Sequence, residues 1–156
     1  LSKIESFIKN KSKIEIKDIL NLTNLAENYG VSELIDNCLA KNKRKTVNIL
    51  NENNYSLDDC ILIIRTFLIK SKRLLRLSKE FQSNKDIEST LSSFKPPIFW
   101  KDKEIVKQQM RNWTHNNIEG LIYRINEVEL LIKKNSINSI NILSDFIIEQ
   151  ATVVSN

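Results

Sequence analysis

Glycine, proline and histidine are scarce in this 156-residue chain, which contains two, two and one of them. Gly30 and Gly120 are far apart, so they cannot form a glycine-rich phosphate-binding loop. His115 is alone in a polar turn, which leaves almost nothing from which to build a metal site or a histidine relay. Cys38 and Cys60 lie in apolar helical stretches without CxxC spacing, a pattern typical of buried free thiols in a reducing compartment. We therefore expect no catalytic residue, no cofactor and no metal.

Long hydrophobic runs are also absent, since no apolar stretch approaches the roughly 20 residues of a membrane helix. The hydrophobic fraction of 41% is enough for a core, and the charged fraction of 28% indicates a solvated surface. Residue 1 is Leu, and no basic-then-apolar leader follows it. We expect a cytoplasmic fragment of a longer protein, without membrane contact. The net charge of +5 permits nucleic-acid or acidic-protein partners.

Apolar residues recur at three- and four-residue steps almost throughout, which predicts an all-α helical bundle. The longest predicted helix covers Leu57 to about Phe81 and begins at Ser56, with Asp59 as the partner in a capping box. Residues 61–64 and 67–69 are apolar on nearly all sides, which predicts that other helices surround this one. Asparagine supplies most of the turn signals, because its side chain tolerates left-handed backbone.

Polar residues 21–28 indicate a connector between two parts of the chain. We therefore predict a domain boundary there, with residues 1–26 as the remnant of a preceding domain and its connector. Residues 27–156 then form the helical domain.

Both prolines stand together in a segment, residues 93–101, that we call the strap. Pro96 and Pro97 must end one helix and set the direction of the next, because proline lacks an N–H and restricts the preceding residue. The aromatic residues of the strap either anchor it to the helical core or offer a surface to a partner. We expect at least one of Phe99 and Trp100 to pack in the core, and stacking on DNA is the alternative.

Four cations of the long helix fall at spacings of seven, four and three, and therefore on one side of it: Arg65, Lys72, Arg76 and Lys79. This basic stripe has three interpretations: an ordinary solvated face, a surface for phosphates, or a dock for an acidic neighbour. We expect Arg65 to be the exception and to pair with a carboxylate inside the bundle, since it lies in the apolar half.

The order of these features resembles the C-terminal region of the delta subunit of the bacterial DNA polymerase III clamp loader. The similarity begins with the helical pattern from Val31 to Arg65. Its most specific part is the strap, where the family has a proline pair followed by aromatic residues and lysines. A later acidic residue four positions before a lysine completes the motif. The matching residues are Lys95, Pro96, Pro97, Phe99, Lys101, Lys103, Glu129 and Lys133.

Upstream, residues 16–19 resemble the end of the middle, lid-like domain of that family. Two departures concern glycines: Lys41-Asn42 replaces a small glycine-containing turn, and the glycine expected after Lys133 is missing. These departures place only local turn geometry in question.

The resemblance implies a fold of the clamp-loader collar type and a non-catalytic role in DNA replication. Residues 27–156 would pack beside the collars of the ATPase (gamma/tau) and delta-prime subunits, in a ring that loads the sliding clamp on primed DNA. The sliding clamp itself would be bound only by an N-terminal domain that this region does not include. The interface candidates are Arg65, Lys72, Arg76, Lys79, Phe99 and Trp100. A free-standing helical nucleic-acid-binding domain and an unrelated protein adaptor remain alternatives.

Overall fold

A computed structural model of the chain describes residues 29–153. The chain divides into two units between Ser32 and Glu33, and the helices discussed here belong to the second unit. The predicted domain remnant, residues 1–26, and the predicted connector lie outside the described residues. The domain boundary therefore stays a prediction.

Residues 29–153 contain α-helices, two short 3-10 turns and no strand, which confirms the predicted all-α class. One helix covers residues 29–39. Its part from Glu33 onward belongs to the second unit and is called α1. The others are α2 (Lys43–Glu52), α3 (Leu57–Asn84), α4 (Ile87–Ser93), α5 (Lys103–Asn112), α6 (His115–Lys134) and α7 (Ser139–Ala151). No described helix is long and apolar enough to cross a membrane.

The long helix α3 organises the second unit. Its start confirms the predicted capping box: the Ser56 hydroxyl accepts from the Asp59 N–H at 3.1 Å, and the Asp59 carboxylate accepts from the Ser56 N–H at 2.8 Å. With 28 residues the helix is about 42 Å long, three residues longer than predicted at its C-terminal end. It stops at Lys85, whose left-handed backbone (φ 56°) directs its N–H to the Phe81 carbonyl.

Helix α3 packs against α6 and α7 to form the main core. Phe67 of α3 and Phe146 of α7 meet with ring centroids 5.7 Å apart. Each helix contributes residues three or four positions apart, as the sequence periodicity predicts. The fully buried residues here include Ile63, Ile64, Phe67, Ile118, Ile125, Ile132, Leu143 and Ile147.

The second half of α3 carries a smaller core beneath the strap. Leu77 of α3, Leu91 of α4 and Val106 of α5 enclose two strap residues, Phe94 and Ile98. All five side chains are buried. The strap is therefore held from three sides by helices.

The C-terminal end of α1 is capped by side chains from α5. Helix ends leave carbonyls without intrahelical partners, and buried ones need donors from elsewhere. The Leu39 carbonyl accepts from the Trp113 indole at 2.7 Å, and the Ala40 carbonyl accepts from Asn112 at 3.1 Å. The Asp36 carbonyl accepts from the Ala40 N–H and also from the Gln109 amide, each at 3.0 Å. The three side-chain donors lie at the end of α5 and immediately after it, so α5 docks in one orientation on α1.

A nearly buried ion pair lies beside this cap. The Lys70 ammonium is 2.8 Å from the Asp36 carboxylate, and the exposed fractions of the two side chains are 11% and 9%. Gln109 donates to the same carboxylate at 3.3 Å, and Arg73 lies 3.9 Å away. A buried carboxylate is tolerated only when charge and hydrogen bonds offset its lost hydration.

The starts of α5, α6 and α7 differ in how they are capped. The Thr114 hydroxyl accepts from the Asn117 N–H and caps α6. Asp102 precedes α5, and Asn138 precedes α7 after a 3-10 turn, but neither makes a side-chain cap bond.

We predict that Lys70→Met destabilises the fold by about 3 kcal/mol, because it leaves the Asp36 carboxylate buried with weaker compensation. Adding Asp36→Asn should recover part of the loss, since no charge then remains to compensate. Urea unfolding followed by circular dichroism measures both. Lys72→Met, at an exposed position of the same helix, is the control. A Lys70→Met protein within about 0.5 kcal/mol of the original would contradict the assignment.

Candidate functional site

The strap is anchored to the bundle by two of its own residues and by one residue of α3. Phe94 and Ile98 point into the small core and are 1% and 7% exposed. Arg76 of α3 fixes the segment between them: its guanidinium donates to the Lys95 carbonyl at 2.7 Å and lies 4.8 Å from the centroid of the Phe94 ring. Arg76 is therefore a strap anchor as well as a member of the basic stripe.

Phe99 and Trp100 point outward, with exposed fractions of 56% and 69%. The prediction that at least one of them packs in the core is wrong. Phe94 and Ile98 already fill the space between α3, α4 and α5, and the chain turns into a 3-10 helix at Trp100. The two outward rings lie 5.9 Å apart, and the Lys101 ammonium is 5.4 Å from the Trp100 ring.

The prolines and lysines of the strap extend this outward surface. Pro96, Pro97, Lys95 and Lys101 are all exposed, while Lys103 is half-buried in the first turn of α5. Lys107 joins the helices on either side of the strap, since its ammonium binds Glu88 of α4 and Glu104 of α5. The hydrogen bonds to these two carboxylates raise the pKa of Lys107. An aromatic and basic surface is thus presented by a segment whose two ends are held in place.

The basic stripe lies on one exposed side of α3, as the spacing predicts. Two exposed apolar residues, Leu62 and Ile69, share that side. We call the whole set the outer seam of α3, and in order it consists of Leu62, Arg65, Ile69, Lys72, Arg76 and Lys79. The sequence predicts that other helices surround this part of α3. Among residues 29–153 the seam is exposed, so that prediction is wrong for this side of α3. The apolar residues on all sides of the helix were the signal from which an exposed apolar face at Leu62 and Ile69 could have been predicted.

Arg65 differs from its expected place. Its side chain is 63% exposed rather than inside the bundle, and its Nε lies 4.0 Å from the Glu129 carboxylate. The predicted pair within α6 is confirmed, because Lys133 approaches the same carboxylate at 3.1 Å. Exposed pairs of this kind contribute only about 0–1 kcal/mol each.

A groove of about 810 Å³ on another side of the bundle is the main competitor for a site. Lys41, Trp113, Gly120, Tyr123, Arg124 and Glu149 are among its lining residues. Its charged groups already have partners. Arg124 and Glu149 form two parallel hydrogen bonds of 3.0 Å, and the Lys41 ammonium donates to the Gln150 carbonyl at 2.6 Å above the Trp113 ring. These pairs hold the groove together, and they leave its cations less available to a ligand.

The two cysteines are buried free thiols, as predicted. Burial raises the pKa of Cys38 to about 12, and the Cys38 thiol donates to the Ile147 carbonyl. Burial also raises the pKa of Cys60. Because a thiolate is the reactive form, both side chains are poor nucleophiles at neutral pH. Among the described residues, no three His, Cys, Asp or Glu side chains group in a way that could hold a metal ion.

No protein-family model, curated protein sequence or solved structure matches this chain. The strap surface and the outer seam of α3 are the two candidate surfaces of the described helices.

We predict opposite effects for inward and outward aromatic residues of the strap. Phe94→Ala should cost about 3–5 kcal/mol of unfolding free energy, because it opens a cavity in the small core. Phe99→Ala and Trp100→Ala should each change stability by less than about 0.5 kcal/mol, since both rings are exposed. Urea unfolding of the three variants is the measurement. A large loss for Trp100→Ala would show that the ring packs inward.

Proposed function

We propose that this chain is a non-catalytic helical packing module of the clamp-loader delta-subunit type. Its described helices act as a collar that lies beside the collars of neighbouring loader subunits. The observation that carries the proposal is the outer seam of α3, a face of mixed apolar and basic residues on a long helix whose opposite face is buried in the bundle. Leu62 and Ile69, with the half-buried Ile61, Leu68 and Leu75 beside them, form an apolar strip along this face, and such strips favour contact with another protein.

The strap adds support from the motif that carries the resemblance. The segment Lys95–Lys103 follows α4, packs over the small core and leads into α5. The residues of the motif therefore form the connection between these two helices. A rigid turn of this kind sets the angle between helices, which is what a packing module needs to hold its neighbours in register. In this proposal the neighbours are the ATPase and delta-prime subunits, and primed DNA passes through the assembled ring. The clamp is gripped by a domain outside the region that this chain resembles.

Assembly with loader subunits tests the proposal. We expect the chain to form a complex with purified ATPase and delta-prime subunits of the same source, seen by size-exclusion chromatography with light scattering. ATP turnover by the chain alone should stay at background. Ile137→Gln, at a position 94% exposed and outside both candidate surfaces, is a control that should assemble normally. A chain that elutes alone at every mixing ratio would refute the proposal.

The outward rings of the strap favour a second function, the binding of single-stranded nucleic acid. Non-specific single-strand binders combine aromatic side chains, on which bases stack, with cations that follow the backbone. Phe99 and Trp100 are exposed side by side, and Lys101 lies against the Trp100 ring. Lys95 adds a second exposed cation on the same segment.

We predict that Phe99→Ala combined with Trp100→Ala weakens binding of a single-stranded oligonucleotide by about 1–3 kcal/mol for each base that loses its stacking partner. Lys101→Ala should reduce the slope of log affinity against log salt by about one. Fluorescence anisotropy at several salt concentrations measures both. Tyr123→Ala removes an exposed aromatic residue away from the strap and is the control. Equal binding by the double variant and the original would exclude the strap as a base-stacking surface.

A further inference from the structure

The outer seam of α3 has the spacing of a helix-packing face. Its six residues are separated by three, four, three, four and three positions, so they form one line about 26 Å long. Side chains at such steps are the ones that a second helix, lying alongside, would contact. Half-buried apolar residues border the line on one side: Ile61, Leu68 and Leu75.

The apolar members of the seam are exposed to water in this chain. Ile69 is 68% exposed and Leu62 is 37% exposed, although the opposite face of the same helix is buried. Residues 61–64 and 67–69 make this part of α3 apolar on nearly all sides, and such a helix segment is typically covered on all sides. Covering Leu62 and Ile69, with their half-buried neighbours, would complete that pattern.

The charged members of the seam determine what can cover it. Arg65, Lys72 and Lys79 are all exposed and all positive. Among the described residues, no carboxylate lies within 4.0 Å of Lys72 or Lys79, and the Glu129 carboxylate beside Arg65 is closer to Lys133. Arg76 is the exception, because the strap already uses its guanidinium. A neighbour must therefore supply acidic groups.

The alternation of apolar and basic residues distinguishes between possible occupants. A nucleic-acid backbone would satisfy the cations but would leave Leu62 and Ile69 without apolar contacts. A second copy of the seam would bring Arg65, Lys72 and Lys79 against one another, and like charges in contact are unfavourable. A helix with apolar and acidic residues at matching steps satisfies both sets at once.

We propose that the outer seam of α3 docks an amphipathic helix of another protein, with apolar residues against Leu62 and Ile69 and carboxylates against Arg65, Lys72 and Lys79. This deepens the proposed function, on which it rests only for the identity of the neighbour. The partner is defined by its chemistry: an acidic, amphipathic helix of about three heptads, the length that matches the seam.

A pair of synthetic peptides tests the docking on the whole chain. The acidic peptide is a fluorescently labelled amphipathic helix of about three heptads with alternating Leu and Glu on its binding face. The basic peptide has Lys in place of each Glu. We expect the chain to bind the acidic peptide at least about tenfold more tightly than the basic one, with affinity that falls as salt rises.

Variants of the seam should then change binding in two ways. Leu62→Gln with Ile69→Gln should weaken the acidic peptide by about tenfold or more, since two apolar anchors are lost. Lys72→Glu with Lys79→Glu should weaken the acidic peptide and strengthen the basic one, which a merely destabilised protein could not do. Ile137→Gln with Lys134→Glu makes similar changes off the seam and should have no effect. Circular dichroism verifies that each variant is folded.

The contrary outcomes are equally definite. Equal binding of both peptides, no binding of either, or equal weakening by the control variant would overturn the proposal. A further outcome would also overturn it: the acidic peptide does not bind, whereas an oligonucleotide binds the original chain and not the Lys72→Glu, Lys79→Glu variant. The seam would then bind phosphates. If the acidic peptide docks but the chain does not assemble with loader subunits, only the proposed function is refuted. If the chain assembles, the seam variants assemble equally well and no peptide docks, only the docking proposal for the seam is refuted.

Discussion

The carbonyls at the C-terminal end of α1 impose the constraint on which much of the second unit depends. Asp36, Leu39 and Ala40 are buried residues, and Gln109, Asn112 and Trp113 donate to their carbonyls. Because leaving a buried carbonyl unpaired costs about 1–3 kcal/mol, sliding or rotating α5 on α1 is unfavourable, since the Leu39 and Ala40 carbonyls would lose these donors. The strap leads directly into α5. Its position over the small core therefore follows from a cap made elsewhere in the bundle.

The fold class and the long helix could be predicted because they depend on local patterns. The capping box of Ser56 and Asp59, the period of the apolar residues and the effect of two prolines all operate over a few positions. The cap of α1 could not be predicted, since Gln109 and Asp36 are 73 positions apart and neither carries a local signal for the other. The same holds for Lys70, whose charge is used in a nearly buried pair rather than on the surface.

The turns illustrate the same limit at short range. Asparagine was expected to supply the left-handed positions, yet the two non-glycine residues with positive φ among the described residues are Lys41 and Lys85. At Lys41 the side chain offsets the unfavourable backbone, because its ammonium binds the Gln150 carbonyl and lies over the Trp113 ring. The orientation of the strap aromatics was missed for a related reason. Which residue of an aromatic pair turns inward depends on the space left by Phe94 and Ile98, and sequence alone does not give that space.

The opposite environments of the two tryptophans have a spectroscopic consequence. Trp100 is exposed on the strap, whereas Trp113 is 9% exposed and its indole donates to a carbonyl beneath the Lys41 ammonium. The chain has no other tryptophan, so its intrinsic emission combines a water-exposed fluorophore with a shielded one. Iodide or acrylamide will quench the first much more than the second. A partner on the strap changes the quenchable part, while loosening of the α1–α5 junction changes the shielded part, and one spectrum can therefore distinguish occupancy of the surface from integrity of the fold.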